Sequence, residues 1–235
     1  MGFAAYLLDI EGTTTPLDFV TKTLFPYARL RLGSFLDDHK DDPAVVAAVS
    51  MLSDDYGRDL ESGDGVPPWD DRPSVFTLGP YLGWLMDHDR KSTGLKALQG
   101  LVWESGYRSG ELLGDVYDDV EPAIGRWRAN GAQVHIFSSG SVLAQRLLFG
   151  HLPSGDLTKV LGRYFDTTTG PKGEPSSYLN IAEAIGTTPA GIQFLSDAPA
   201  EIEAAKAAGL SATQVLRGSS VSDYPRAVST FDQVP

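Results

Sequence analysis

Three times in this chain a five- or four-residue run, apolar or alternating and β-rich, stops on a polar residue and gives way to a helical pattern. Ala4 to Leu8 ends at Asp9, Gln133 to Phe137 ends at Ser138-Ser139, and Ile192 to Leu195 ends at Ser196-Asp197. Runs this short, rich in Val, Ile, Leu and aromatic residues, suit buried strands rather than helices. Strands that alternate with helices build an α/β core. In such sheets ligands gather at the carboxyl ends of the strands, where these polar residues stand.

The first of these ends is the most informative. Asp9 and Glu11 are separated by one residue and followed by Gly12 and three threonines, Thr13 to Thr15. In a strand alternate side chains share a face, which predicts that the two carboxylates point the same way. Two such acids repel unless a cation lies between them. A hard divalent ion with oxygen ligands, Mg2+ by preference, removes the conflict. Gly12 permits a sharp turn, and the threonines offer donors to an anion. The second end, Ser138-Ser139-Gly140-Ser141, leads into a helix at Val142 to Phe149. Amides and hydroxyls at a helix start hold anions, although Ser139 or Ser141 could simply cap the helix. Lys172, in the Gly170 to Glu174 turn, is a rigidly presented point charge suited to phosphate. Asp197, at the third end, repeats the placement of Asp9.

About a hundred residues after the first strand read as helical and contain no convincing strand. Phe19 to Leu36 has apolar residues at helical spacing with Pro26 as a kink, Pro43 opens a helix over Ala44 to Leu52, and Phe76 to Met86 and Leu95 to Tyr107 follow. Ser62 to Ser74, rich in Gly, Pro and Asp, reads as a loop. The predicted organisation is a core of residues 1–15 and 116–235 with a helical cap, residues 16–115, inserted after the first strand. Further helices are expected at Pro122 to Ala129, Tyr178 to Ile185 and Ala198 to Ala208, a further strand at Ala212 to Leu216, and a closing segment from Ser222.

Charge narrows the partners. A net charge of −12 argues against nucleic acid and anionic membrane. The absence of cysteine excludes disulfides, thiol catalysis and Cys-ligated metals. No basic leader with an apolar core and no spanning run is visible, so the chain reads as cytoplasmic. Of the four histidines, His135 falls inside a strand and reads as core, His151 as a helix cap, and His39 and His88 as exposed. Trp69 and Trp84 read as packing residues of the inserted region.

Taken in order, the acid pair, serine turn, loop lysine and late acid are the set for phosphoryl transfer through a carboxylate. Asp9 would attack phosphorus to form an aspartyl-phosphate, and Glu11 would protonate the leaving oxygen and then activate water. Ser138 or Ser139 and Lys172 would hold phosphoryl oxygens, with Mg2+ on Asp9 and Asp197.

The runs LLDIEGTTTP, IFSSGS, GPKGE and FLSDAPAE resemble those of the haloacid dehalogenase-like phosphatases. More narrowly, LLDIEGTTTPLDFV, KALQGLVW and SSGSVLAQRLLFGH are similar to the enolase-phosphatases of methionine salvage. The resemblance implies a Rossmann-like parallel-sheet core with an all-helical cap, Mg2+ dependence and a monomer. It implies a two-step reaction on 2,3-diketo-5-methylthiopentyl-1-phosphate, enolisation and then dephosphorylation, giving an acireductone. It places metal ligands at Asp9, Glu11 and Asp197, with either side chain or backbone of Glu11 involved, and substrate contacts at Ser138, Ser139 and Lys172. Glu174 and Tyr178 match the pattern around the lysine. Ala198-Pro199-Ala200 departs from it, while Glu201 keeps an acid there that could orient a metal's waters. Glu11, Lys172 or a residue of the cap could serve as the enolisation base. A general sugar-phosphate phosphatase of the same superfamily and a non-catalytic phospho-ligand module are the competing functions.

Overall fold

A computed structural model describes residues 2–63, 65–218 and 227–235. The chain divides into two compact units, Met1–Val20 with Leu113–Pro235, and Thr21–Leu112. The first holds a five-stranded, wholly parallel sheet in the order β3-β2-β1-β4-β5. Its strands are β1 (Ala5–Leu8), β2 (Gln133–Phe137), β3 (Tyr164–Phe165), β4 (Ile192–Ser196) and β5 (Ser211–Gln214).

β1 is buried along its whole length because it is the central strand with helices on both faces, so its run is continuously apolar rather than alternating. Leu8 is level with Ile136 on β2 and with Leu195 on β4. That register brings Asp9, Ser138 and Ser196 to one rim of the sheet. The core beneath them joins Leu7, Phe137, Tyr178, Ile181, Phe194 and Ile202, all 0 % exposed. Each fully buried side chain of this size contributes about 2 kcal/mol relative to leaving it in water. The helices of this unit include α6 (Val120–Ala129), α7 (Val142–Gly150), α8 (Pro175–Ile185) and α9 (Pro199–Ala207).

Several expectations are refined. β1 stops at Leu8, so Asp9 and Glu11 lie in the turn beyond it and the two-residue alternation of a strand does not set their directions. Three successive amides, Thr13, Thr14 and Thr15, all donate to the Ile10 carbonyl and wind that turn. β3 spans only two residues, too few to show a period in sequence. The expected closing segment begins at Ser222, and its residues through 226 lie outside the described residues. From 227 on, the tail adds a bridge between Val215 and Val228 and a 3-10 turn, Phe231–Gln233.

The second unit is built from helices, and among its described residues no strand occurs. It comprises α2 (Phe25–His39), α3 (Pro43–Ser62), α4 (Gly79–Asp87) and α5 (Thr93–Ser109). A short helix α1 (Leu17–Phe19) and a π-helical stretch, Val20–Leu24, precede α2. Pro26 is the second residue of α2: with no amide to donate it cannot continue the ordinary ladder, and the widened turn before it accommodates it. α3 opens as expected on Pro43, with the Asp42 carboxylate accepting from the Ala44 amide at 2.7 Å, but runs ten residues past Leu52. α3 and α5 pack closely because Gly94 has no side chain; a Cβ there would stand 2.7 Å from the Ala48 carbonyl oxygen. Trp69 and Trp84 are buried in this unit's core with Leu52, Leu78 and Tyr81. No helix among the described residues is long and apolar enough to cross a membrane.

Candidate active site

The turn after β1 carries the site. Asp9 is 4 % exposed, and its amide donates to the Leu195 carbonyl of β4, which fixes the backbone against the neighbouring strand. Thr14 Oγ1 donates to the Asp9 carbonyl at 3.0 Å. Thr13 Oγ1 donates weakly to Asp9 Oδ2 at 3.5 Å and accepts from the Asp197 amide at 2.9 Å, so one hydroxyl ties the first acid to the last. Gly12 adopts a positive φ of 69°, and a Cβ at that position would collide with the Asp197 carboxylate. The glycine is required twice, for its backbone and for the room it leaves.

Lys172 reaches in from its turn, 11 % exposed, with Nζ 2.5 Å from Asp9 Oδ1 and 2.7 Å from Glu201 Oε2. Its Nζ lies 5.8 Å from the centroid of the Phe137 ring at the end of β2. The turn is pinned to the start of α8 by two hydroxyls: Ser177 Oγ donates to the Pro171 carbonyl at 2.6 Å, and Tyr178 OH to the Lys172 carbonyl at 2.7 Å. Ser196 Oγ is 2.8 Å from Glu201 Oε2 and 3.3 Å from Asp9 Oδ2; its single proton goes to the nearer oxygen.

Four carboxylates, Asp9, Glu11, Asp197 and Glu201, therefore share one ammonium. The electrostatics record the imbalance. Burial, then the charge of Asp9, pushes up both Glu11 and Glu201. Burial, then Asp9 and Glu201, pushes Asp197 up to about 6. Burial works against the charge on Lys172, but Asp9 and Glu201 outweigh it and hold the ammonium above the usual lysine value. A lysine held in that state is a cation rather than a base, which weighs against Lys172 as the acceptor of an α-proton.

The cluster suits a hard cation by its donor chemistry, since four carboxylates share a single ammonium and leave a deficit of positive charge. Among the described residues no three His, Cys, Asp or Glu side chains form a ready metal cage. An ion here would complete its coordination with main-chain oxygen and water, as Mg2+ commonly does.

The serine turn divides its labour. Ser138 is buried at the end of β2, and its Oγ accepts from the Gly140 amide at 3.1 Å; Ser139 is exposed. Ser141, not Ser139, caps α7, its Oγ accepting from the Ala144 amide at 3.3 Å. Asp166 accepts from the Val142 amide, so part of that helix start is engaged by the chain itself. Glu174 opens α8 without a side-chain capping bond. The histidines stay outside: His135 is 2 % exposed in β2, and burial, then Arg163, pushes its imidazole down to about 4. His151 Nδ1 lies 2.9 Å from the Leu147 carbonyl at the end of α7.

Thr13, Ser196 and Ser177 are site residues that motif reading leaves unassigned. Ser196 and Ser177 neighbour residues singled out by sequence, but a hydroxyl's bond to a residue far along the chain leaves no pattern in the letters.

Comparison with known proteins joins this geometry to a family. A family model described as haloacid dehalogenase-like hydrolase matches residues 3–209. Enolase-phosphatase E1 of Synechococcus elongatus is 52 % identical over 211 residues, 90 % of this chain and 87 % of that protein. Enolase-phosphatase E1 of Sorangium cellulosum is 48 % identical over 93 % of this chain and 90 % of that protein. The crystal structure of the UTR4 protein of Saccharomyces cerevisiae superposes with a TM-score of 0.80 at 34 % identity, covering 98 % of this chain and 99 % of that one.

Proposed function

Because the chain belongs to the haloacid dehalogenase-like hydrolases and, among them, to the enolase-phosphatases, we propose that the rim beyond β1 is its catalytic centre. The enzyme is an acireductone synthase of methionine salvage: it enolises 2,3-diketo-5-methylthiopentyl-1-phosphate and then releases phosphate to give 1,2-dihydroxy-3-keto-5-methylthiopentene. The observation that carries the assignment is a buried aspartate at the end of the central strand, paired with a lysine and touched by the Thr13 hydroxyl, within a cluster of four acids.

In the dephosphorylation step Asp9 attacks phosphorus; the new P–O bond to its carboxylate forms as the bond to the substrate oxygen breaks. Glu11, half-buried beside it, gives its proton to the leaving oxygen and then takes one from the water that opens the aspartyl-phosphate. Lys172, Ser138 and Ser139 hold the phosphoryl oxygens, and the bonds from Tyr178 and Ser177 keep the lysine's turn in place. Asp9 and Asp197, with Glu11 through its backbone carbonyl so that its carboxyl keeps the proton, would hold Mg2+, which when bound supplies positive charge to offset that of the transferring group. Glu201 keeps Lys172 oriented toward Asp9. Catalysis by residues 1–15 and 116–235, with 16–115 as an inserted helical domain, belongs to the same proposal, as do a monomeric state and a cytoplasmic place.

The test is direct. Purified protein given the diketo-phosphate and Mg2+ should show the enol absorbance change and then free phosphate. Neither signal, or turnover of several sugar phosphates at rates rivalling the diketone, would overturn the reading.

A further inference from the structure

Against the backbone of the nucleophile turn, a second ion pair, nearly buried, has no part in the chemistry described so far. Arg217, just past β5, is 9 % exposed in its side chain, and its Nη1 lies 2.6 Å from Oδ2 of Asp119, which is 11 % exposed. The guanidinium is stacked between two rings, 4.3 Å from the centroid of Tyr117 and 4.7 Å from that of Phe231. Its Nε donates to the Thr13 carbonyl at 2.9 Å. Asp119 Oδ2 also accepts from the Phe231 amide at 2.5 Å, so the carboxylate is fixed by the C-terminal segment.

We propose that Arg217 is a positioning residue for the catalytic turn, holding the Thr13 carbonyl so that the Thr13 hydroxyl stays between Asp9 and Asp197. Three physical points support it. The bond falls on the one residue whose hydroxyl touches Asp9 and also receives the Asp197 amide. The guanidinium has little freedom, because a salt bridge and two ring faces fix its plane, and a fixed plane can hold a carbonyl to a fraction of an ångström. The pair is also poorly satisfied as a stability device: among the described residues, Arg217 Nη2 and Asp119 Oδ1 are buried without a hydrogen-bond partner. For stability alone an apolar replacement would serve as well. What an apolar side chain could not supply is the donor to Thr13. By the same connection, the C-terminal turn at Phe231 becomes part of what aligns the nucleophile. The inference rests on the assignment of Asp9 as the nucleophile.

The test compares Arg217→Met, Arg217→Lys and Asp119→Asn with the unaltered enzyme, counting only folded protein as measured by thermal melting. For Arg217→Met the expected result is a fall in kcat of about ten- to a hundredfold with KM within about threefold, as misplacement of a reacting group without loss of binding predicts. Arg217→Lys, which keeps one donor, should recover part of the loss, and Asp119→Asn should lose less than Arg217→Met. Amide hydrogen exchange at Asp197 and Thr13 to Thr15 should quicken about tenfold in Arg217→Met. Exchange unchanged in a folded variant overturns the brace whatever the turnover. Quickened exchange with unchanged kcat overturns its role in positioning. If Arg217→Met does not fold, the lysine variant decides by the same two readouts. Failure of the unaltered protein to release phosphate from the diketo-phosphate would instead count against the function, and the exchange data would still judge the brace.

Discussion

Each unit of this protein buries a cluster of acids, and the two clusters are balanced in opposite ways. In the helical unit Asp55 pairs with Arg58 and accepts from Ser92 Oγ at 2.5 Å, while Asp59 pairs with Arg90 and accepts from Tyr81 OH at 2.7 Å. Every carboxylate oxygen there has a partner and every acid a cation. In the sheet unit four acids share Lys172, and Glu11, Asp197 and Glu201 are all pushed up by burial and by their acidic neighbours. A concavity of about 530 Å³ lined by Asp55, Arg58, Asp59 and Arg90 lies beside the balanced cluster. Room alone therefore does not mark the site. What marks it is charge that the chain itself leaves uncompensated, because a matched cluster has already used its free energy on folding and an unmatched one keeps it for a ligand.

The largest difference should appear in turnover. Asp9→Asn removes the proposed nucleophile, and kcat for phosphate release should fall by about four orders of magnitude or more. Its melting temperature should move by less than about 2 °C, because the loss of the lysine contact is offset by the loss of one of four repelling charges. Residual phosphate release within a hundredfold of the unaltered enzyme would break the comparison, since Asp9 would then be one acid among several.

Next in size is the response to a cation. If the sheet cluster lacks positive charge, Mg2+ should stabilise the folded protein by about 2.7 kcal/mol at a hundred times its dissociation constant. For a chain of this size that is a rise in melting temperature of about 5 to 10 °C. Asp197→Asn should abolish the rise and Asp59→Asn should leave it intact. A shift that survives Asp197→Asn would place the ion elsewhere.

Asp59→Asn tests the other side. It leaves Arg90 beside a neutral amide and should cost about 2 kcal/mol of stability, less than a fully buried pair because Arg90 is 41 % exposed and can hydrate. Urea or thermal unfolding reads that loss, and kcat per folded molecule should be unchanged. A fall in kcat with full stability would mean that the balanced cluster also serves the reaction.

The two clusters differ in how far sequence exposes them. Asp9, Glu11 and Asp197 were legible because each follows a short apolar run, and the strand boundary itself announces the rim. Lys172 was legible through the glycines and proline around it. The four longer strands follow from short apolar or β-rich runs and the helices from periodicity; β3 follows from neither, because two residues carry no pattern. The widened turn before Pro26 is a backbone adjustment that only the folded ladder reveals. Thr13, Ser196 and Arg217 act through bonds to residues distant in the chain, and no local spacing encodes such a bond. The acid pair Asp55 and Asp59 stands at helical spacing like any solvated face, so its burial could not be read either.

The smallest effect discriminates most finely, because the clusters contain tyrosine bonds of the same length with different work to do. Tyr81 OH donates to a carboxylate at 2.7 Å, and Tyr178 OH to the backbone carbonyl of Lys172 at 2.7 Å. Phenylalanine at either position keeps the ring and removes the donor. Tyr81→Phe withdraws a bond from a charged acceptor and should cost about 2 kcal/mol in unfolding free energy, with kcat unchanged. Tyr178→Phe withdraws a neutral bond and should cost only about 1 kcal/mol of stability. It also frees the turn that presents Lys172, and kcat should fall about three- to tenfold while KM rises little, because the ammonium is still present but less well held. The pair of variants thus separates a hydroxyl that completes a closed cluster from one that aims a charge. Equal losses of kcat, or none in either, would show that the Lys172 turn is held by Ser177 and the chain's own geometry, and that the tyrosine beneath it is only packing.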